Sequence, residues 1–159
     1  MEKTQIEIVP GIGLGALKFG MNREEVKSIL GEPDHQEITH YGEDDSDQSD
    51  AWEYHPLRLD LSFEEAEDWR LTILSVSSDD YLLKGSSLIG LNQEELMEEL
   101  ELLGVKELEM EDLSSEDHPE QLLIAAEELG VNFWLHKGIL EEIQWGPLFQ
   151  DEHTIKWPE

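Results

Sequence analysis

The chain has no cysteine, which removes disulfides, thiolate catalysis, Cys-ligated zinc and lipid attachment through a cysteine. Basic residues are scarce as well: 10 Lys plus Arg stand against 39 Asp plus Glu, a formal charge of −29 with His neutral. A field of that sign repels phosphate backbones and anionic bilayers, so neither nucleic acid nor a membrane is expected as a partner. A basic protein would be attracted, and a solvated, salt-adapted surface would carry the same charge. No apolar run approaches the ~20 residues of a membrane-spanning helix. Glu2 and Lys3 stand near the start, where a secretory signal leads into an apolar stretch, so the cytoplasm is the expected compartment.

Recognisable catalytic signatures are missing too. The stretch Gly11-Ile12-Gly13-Leu14-Gly15 lacks the G-x-G-x-x-G spacing of a dinucleotide site and reads as a flexible approach to Leu17, Lys18 and Phe19. His35, His40 and His55 fall in one region, with His118 and His153 far along the chain, and none sits in an H-E-x-x-H spacing. The acidic loop 43–50, with Asp44, Asp45, Asp47 and Asp50, resembles a calcium loop in charge only, without the central Gly and terminal Glu of an EF-hand. No nucleophile elbow occurs. The expectation is no catalytic residue, no metal ligand and no cofactor.

What the chain does have is enough apolar material for a core, 38% hydrophobic with five Trp, and an internal repeat. Gly20-Met21-Asn22-Arg23-Glu24-Glu25-Val26 is echoed by Gly90-Leu91-Asn92-Gln93-Glu94-Glu95-Leu96, 70 residues on. Each copy reads as a helix start, with Asn as N-cap and the second Glu completing a capping box. The first helix is expected to bury Val26, Ile29 and Leu30 before Gly31, and the second Leu96, Leu100 and Leu103 before Gly104. After each helix the period falls to 2: Trp52, Tyr54, Leu57, Leu59, Leu61 and Phe63 align with Ile124, Ala126, Leu129, Val131, Phe133 and Leu135. A third strand follows in each copy, from Arg70 to Ser77 and from Ile139 to Trp145, after a loop at 64–68 or a turn at His136-Lys137-Gly138. Gln5 to Val9 reads as an extra strand, and the acidic run 107–117 as a loop, with a short helix or strand as the alternative.

The fold class expected is therefore α+β: two tandem helix-plus-three-strand units forming one antiparallel sheet with helices on one face. They make a single domain over 1–159, with repeats at about 11–80 and 85–149 and a C-terminal tail at 150–159. Strand parity turns Val131, Phe133 and Leu135 towards the helices and Asn132, Trp134 and His136 away from them. Arg58, Asp60 and Ser62 are the first-copy counterparts, and Glu142 and Gln144 share that face. A Trp on an open sheet face suits protein recognition, unless Phe149 and Trp157 of the tail fold back over it. Trp134, His136, Asn132, Arg58, Asp60, Glu142 and Gln144 are the candidate partner-binding residues.

The first helix and its surroundings, Gly20-Met21-Asn22-Arg23-Glu24-Glu25-Val26 on to Leu30-Gly31-Glu32-Pro33, resemble the G-M-x-x-x-E-V-x-x-x-L-G-x-P pattern of small bacterial outer-membrane assembly lipoproteins. The duplication is similar to that of the β-lactamase inhibitor protein family, which implies a concave open sheet face that binds another protein. The missing lipidated cysteine, export signal and disulfide leave only the scaffold to carry over. In charge and size the chain also resembles bacterial immunity proteins, small acidic antidotes to toxin domains. These features predict a non-catalytic acidic module that binds a basic protein, as an immunity or inhibitor protein does. The rival expectations are an adaptor or structural domain and, behind them, a metal-dependent hydrolase.

Overall fold

The computed structural model describes residues 6–40, 48–105, 107–114, 116, 120–126, 129–149 and 155–157. Strands β1 (Ile6–Val9), β2 (Gly13–Leu14) and β3 (Leu17–Lys18) lead into helix α1 (Arg23–Leu30), followed by β4 (His35–His40), β5 (Gln48–Tyr54), β6 (Leu59–Glu64) and β7 (Arg70–Val76). The second half runs β8 (Tyr81–Leu83), β9 (Ser86–Ser87), α2 (Gln93–Leu102), β10 (Glu109–Asp112), β11 (Gln121–Ala126), β12 (Val131–His136) and β13 (Ile139–Trp145). A hairpin of β14 (Leu148–Phe149) and β15 (Ile155–Lys156) comes last.

This architecture corrects the α+β expectation of two helix-plus-three-strand units. The protein is mostly β, with two α-helices and large sheets of five and eight strands among the described residues. Each helix is followed by four strands of the main sheet, not three. The added strands, His35–His40 and Glu109–Asp112, are exposed edges, so they lack the apolar alternation that marks a half-buried strand. Backbone pairing holds them, His35 to Glu53 at one edge and Glu109 to Ala125 at the other. The glycine stretch is likewise drawn into the five-stranded sheet, where β2 pairs with both β1 and β3. The run 107–117 thus holds a strand, β10, rather than only loop, whereas Asp44, Asp45 and Asp47 lie outside the described residues.

The eight-stranded sheet has the order β10-β11-β12-β13-β7-β6-β5-β4, which puts the two halves back to back. At the seam Ile143 pairs with Val76, Gln144 with Ser75 and Trp145 with Leu74. The repeat makes Leu74 and Val76 the counterparts of Ile143 and Trp145, so an approximate two-fold axis passes through the Ser75–Gln144 pair. The same stitching recurs in each half. The Gly20 amide donates to the Leu71 carbonyl (3.0 Å) and Leu71 to Met21 (2.8 Å), as Gly90 does to Leu140 (2.9 Å) and Leu140 to Leu91 (2.9 Å).

One face of this sheet is the core. Trp52, Leu61, Leu74, Trp145, Val131 and Ala126 lie in register across six strands and are all buried, as are Tyr54, Leu59, Val76, Ile143, Phe133 and Ile124 one row over. The helices and the small sheet cover them, contributing Val26, Leu96, Leu100, Ile8, Leu14 and Leu83 to the same cluster. Both capping boxes form: Asn22 accepts from the Glu25 amide at 2.8 Å and Asn92 from the Glu95 amide at 2.8 Å, each Glu returning the bond. Only Val26 of α1 is buried, against the expectation that Ile29 would be as well. With a two-turn helix lying over the sheet, Ile29 rotates to the solvent side and stays 42% exposed.

One buried charge stands in the first half. Asp50 is fully buried and accepts from the Arg23 guanidinium at 3.1 Å and from Gln36 Nε2 at 3.0 Å, while Arg23 stacks 4.5 Å from the Trp69 ring centre. Removing Arg23 strands that carboxylate with one amide, so Arg23→Ala is expected to cost roughly 2–3 kcal/mol in urea unfolding, below a fully enclosed pair because Arg23 reaches solvent. Phe133→Ala is expected to cost about 3–5 kcal/mol and Ile29→Ala less than about 1 kcal/mol. Equal losses at Phe133 and Ile29 would show that α1 packs differently.

Candidate functional site

The outer face of the main sheet is polar. Glu53, Asp60, Ser75, Gln144, Asn132, Ala125 and Glu109 form one row across it, with Glu142, Trp134, Leu123 and Glu111 forming part of the next. Asn132, Trp134 and His136 alternate with buried Val131, Phe133 and Leu135, which places them on this outer face, half-buried. Trp134 Nε1 donates to Gln144 Oε1 at 3.2 Å, and His136 Nδ1 lies 3.6 Å from Glu141 Oε2. Trp157 does not reach Trp134. It packs against Gly20, where an added Cβ would meet the indole at 3.1 Å, and the Arg70 guanidinium lies 5.3 Å from its ring centre.

A bulge shapes the surroundings of Trp134. The register of β12 against β13 shifts between Trp134 and Leu135: Glu142 faces Trp134 and Leu140 faces Leu135, so Glu141 is the extra residue. Extra residues of this kind bend a strand and re-aim side chains. Beside it opens a recess of about 690 Å³ lined by Trp134, Arg58, Gln121, Ile139, Glu141 and Glu142, among others. Arg58 arrives from the turn after β5 with φ of 49°, a left-handed conformation that a non-glycine residue adopts at some cost. Its carbonyl is tied down by the Ser77 amide at 3.1 Å.

The first half has the same bulge, between Ser62 and Phe63, with Thr72 as the extra residue. Thr72 is buried, its hydroxyl donating to the Ser62 carbonyl at 3.4 Å, and Ser62, the counterpart of Trp134, is linked to Ser49 by a hydroxyl hydrogen bond of 2.8 Å. Small hydroxyl residues close the surface in one copy. Indole and carboxylates open it in the other.

Of the seven residues chosen from the sequence, Trp134, Arg58 and Glu142 line the recess together. Gln144 holds the indole, Asn132 sits opposite Gln144, and His136 leans on Glu141, but none of the three lines it. Asp60 stands further away, opposite Ser75 on the far side of the seam. Reasoning from parity missed Glu141, Gln121 and Ile139. The spacing carried a signal for the bulge: Leu140 and Ile143 are three apart, as are Leu71 and Leu74, which strict alternation forbids.

The electrostatics are those of crowded carboxylates. Partial desolvation, then repulsion from Glu53 and Glu142, raises the Asp60 carboxyl above its ordinary 3.8, with His55 opposing, even though the residue as a whole is exposed. Burial also raises Glu64 above 4.5, helped by Glu67 and opposed by a hydrogen bond from Ser49. Among the described residues no group of three or more His, Asp and Glu is placed to hold a metal ion, and no helix is long and apolar enough to cross a membrane. Comparison of the chain with protein-family models, curated proteins and solved structures found no match.

A carboxyl with a raised folded value binds its proton more tightly in the folded state. It therefore costs stability as pH rises from its ordinary value through the raised one, and costs nothing below. Asp60→Asn is expected to raise the unfolding free energy measured in urea at pH 7 by roughly a few tenths of a kcal/mol after solvent screening, and to leave it unchanged near pH 3. A destabilising effect at pH 7 would mean that Asp60 is held by an attraction instead.

Proposed function

We propose that this protein is a non-catalytic binding module in the cytoplasm that covers a basic protein with the outer face of its main sheet, in the manner of an immunity or inhibitor protein. The observation that carries the reading is Trp134: a large indole opposite Leu123 on a largely polar sheet face, fixed by Gln144 and set beside a recess rimmed by Glu141 and Glu142. Tryptophan anchors seated in pockets dominate binding energy at protein interfaces, and a ring of weaker polar contacts around them excludes water. The charge of −29 supplies long-range steering towards a basic partner. A cation brought in beside Asp60, Glu53 and Glu142 would relieve the repulsion that raises Asp60. The resemblance to tandem-repeat inhibitor scaffolds fits the same reading but rests on the helix motif and the duplication alone.

The test begins with affinity capture from the host lysate at low and high salt, followed by kinetics on the protein retained. Association is expected to slow strongly as salt rises from about 0.05 to 0.5 M, and Trp134→Ala to speed dissociation by roughly 30-fold or more while changing the association rate little. Binding that ignores both salt and Trp134 would sink the reading.

A further inference from the structure

The helix α2 carries a second surface, on the opposite side of the sheet from Trp134. Its inner residues Leu96 and Leu100 are fully buried, but beside them runs a groove of about 800 Å³ between the helix and the segment that follows it. Met97, Val105 and Leu108 form its floor, and Glu94, Glu98 and Glu101 stand along its rim. Those glutamates are spaced i, i+4 and i+7, so they make one stripe along the helix. Leu102, just beyond, is 79% exposed.

The two-fold relation between the halves shows what this surface lacks. Offset by 70, Gln93 and Met97 occupy the places of Arg23 and Lys27 in α1. In the first half those two cations serve the helix itself: Arg23 pairs with Asp50 and lies over Trp69, and Lys27 Nζ sits 5.7 Å from the Trp52 ring centre. The second helix has five Glu and no Lys or Arg between Gln93 and Leu102. Lys84 does approach its end, where it donates to the Leu103 carbonyl at 3.1 Å, and Lys106 lies outside the described residues. Like charges one turn apart repel, so the rim of α2 is held at a cost that a cationic ligand would offset.

We infer that the α2 groove docks an amphipathic helix bearing Lys or Arg at i, i+4 and i+7 beside an apolar stripe. The stripe would rest on Met97, Val105 and Leu108 while the cations meet Glu94, Glu98 and Glu101. The groove runs along about 12 Å of α2, enough for roughly two turns of a partner helix. A helix satisfies its own backbone groups, as an occupant of a side-chain-lined groove must. A second copy of this protein is the wrong occupant, because it would bring a second acidic α2 against the first. This surface is separate from the Trp134 face, and the inference stands or falls apart from the function proposed for that face.

The probe is a 15-residue Leu/Lys peptide of helical period, compared with a peptide of the same composition arranged with period 2. Binding is read from the Met97 and Met110 methyl resonances and from fluorescence anisotropy at about 0.15 M salt. The helical peptide is expected to shift the Met97 methyl and to bind at least about tenfold more tightly than its alternating isomer. Met97→Lys, at a half-buried position, and the combined Glu94→Gln, Glu98→Gln and Glu101→Gln variant, whose side chains are exposed, are each expected to weaken it by roughly tenfold or more. Trp134→Ala is expected to leave it unchanged. Equal binding of the two peptides would show charge without a shaped groove and overturn the inference, as would binding indifferent to Met97→Lys or lost in Trp134→Ala. A concentration-dependent dimer abolished by Met97→Lys would overturn it too, by giving the groove to a second copy.

Discussion

Where β7 meets β13, three residue pairs join two four-stranded meanders into a single sheet. Ser75 and Gln144 at the centre face outward, while Leu74, Val76, Ile143 and Trp145 are buried beneath. Neither half could cover its own inner face without this seam, since the helices and the small sheet share one core with strands from both. Trp145 shows the dependence most directly: from the second half its indole donates to the Gly13 carbonyl of the first, 3.1 Å away and buried. Satisfying that indole inside the core requires the other half to be in place. The two repeats are therefore expected to unfold as one unit.

Symmetry about the seam makes the differences between the halves informative. Both halves of the sheet bulge at the same place, at Thr72 and at Glu141, so the distortion belongs to the shared backbone and not to any one side chain. What each half does with it depends on a few substitutions. Ser62 and Thr72 turn the bulge into a closed hydroxyl-bonded surface, while Trp134 and Glu141 turn it into an open recess. The helices diverge as well, α1 carrying Arg23 and Lys27 where α2 carries Gln93 and Met97.

The repeat, the caps and the parity of β12 were legible because each rests on local rules: an Asn and a Glu three residues apart, or alternation over six positions. Val131, Phe133 and Leu135 point inward and Asn132, Trp134 and His136 outward in consequence. The edge strands were not legible. His35–His40 and Glu109–Asp112 are strands because a neighbour offers backbone partners, and nothing in their own hydrophobic pattern says so. Ile29 misled for a related reason, its helical spacing from Val26 counting for less than the width of the face that α1 can bury. The recess depended on Glu141, the extra residue of the β12–β13 bulge, whose trace in the sequence is the three-residue spacing of Leu140 and Ile143 and not an alternation.

The sheet does not close on itself, and among the described residues β4 and β10 each keep one side of their backbone without a strand partner. Such an edge can recruit another chain, and all four residues of β10 are exposed. Three of the four are Glu109, Glu111 and Asp112, so an incoming copy would bring carboxylates up against carboxylates. The acidity of β10 thus opposes edge-to-edge pairing of copies.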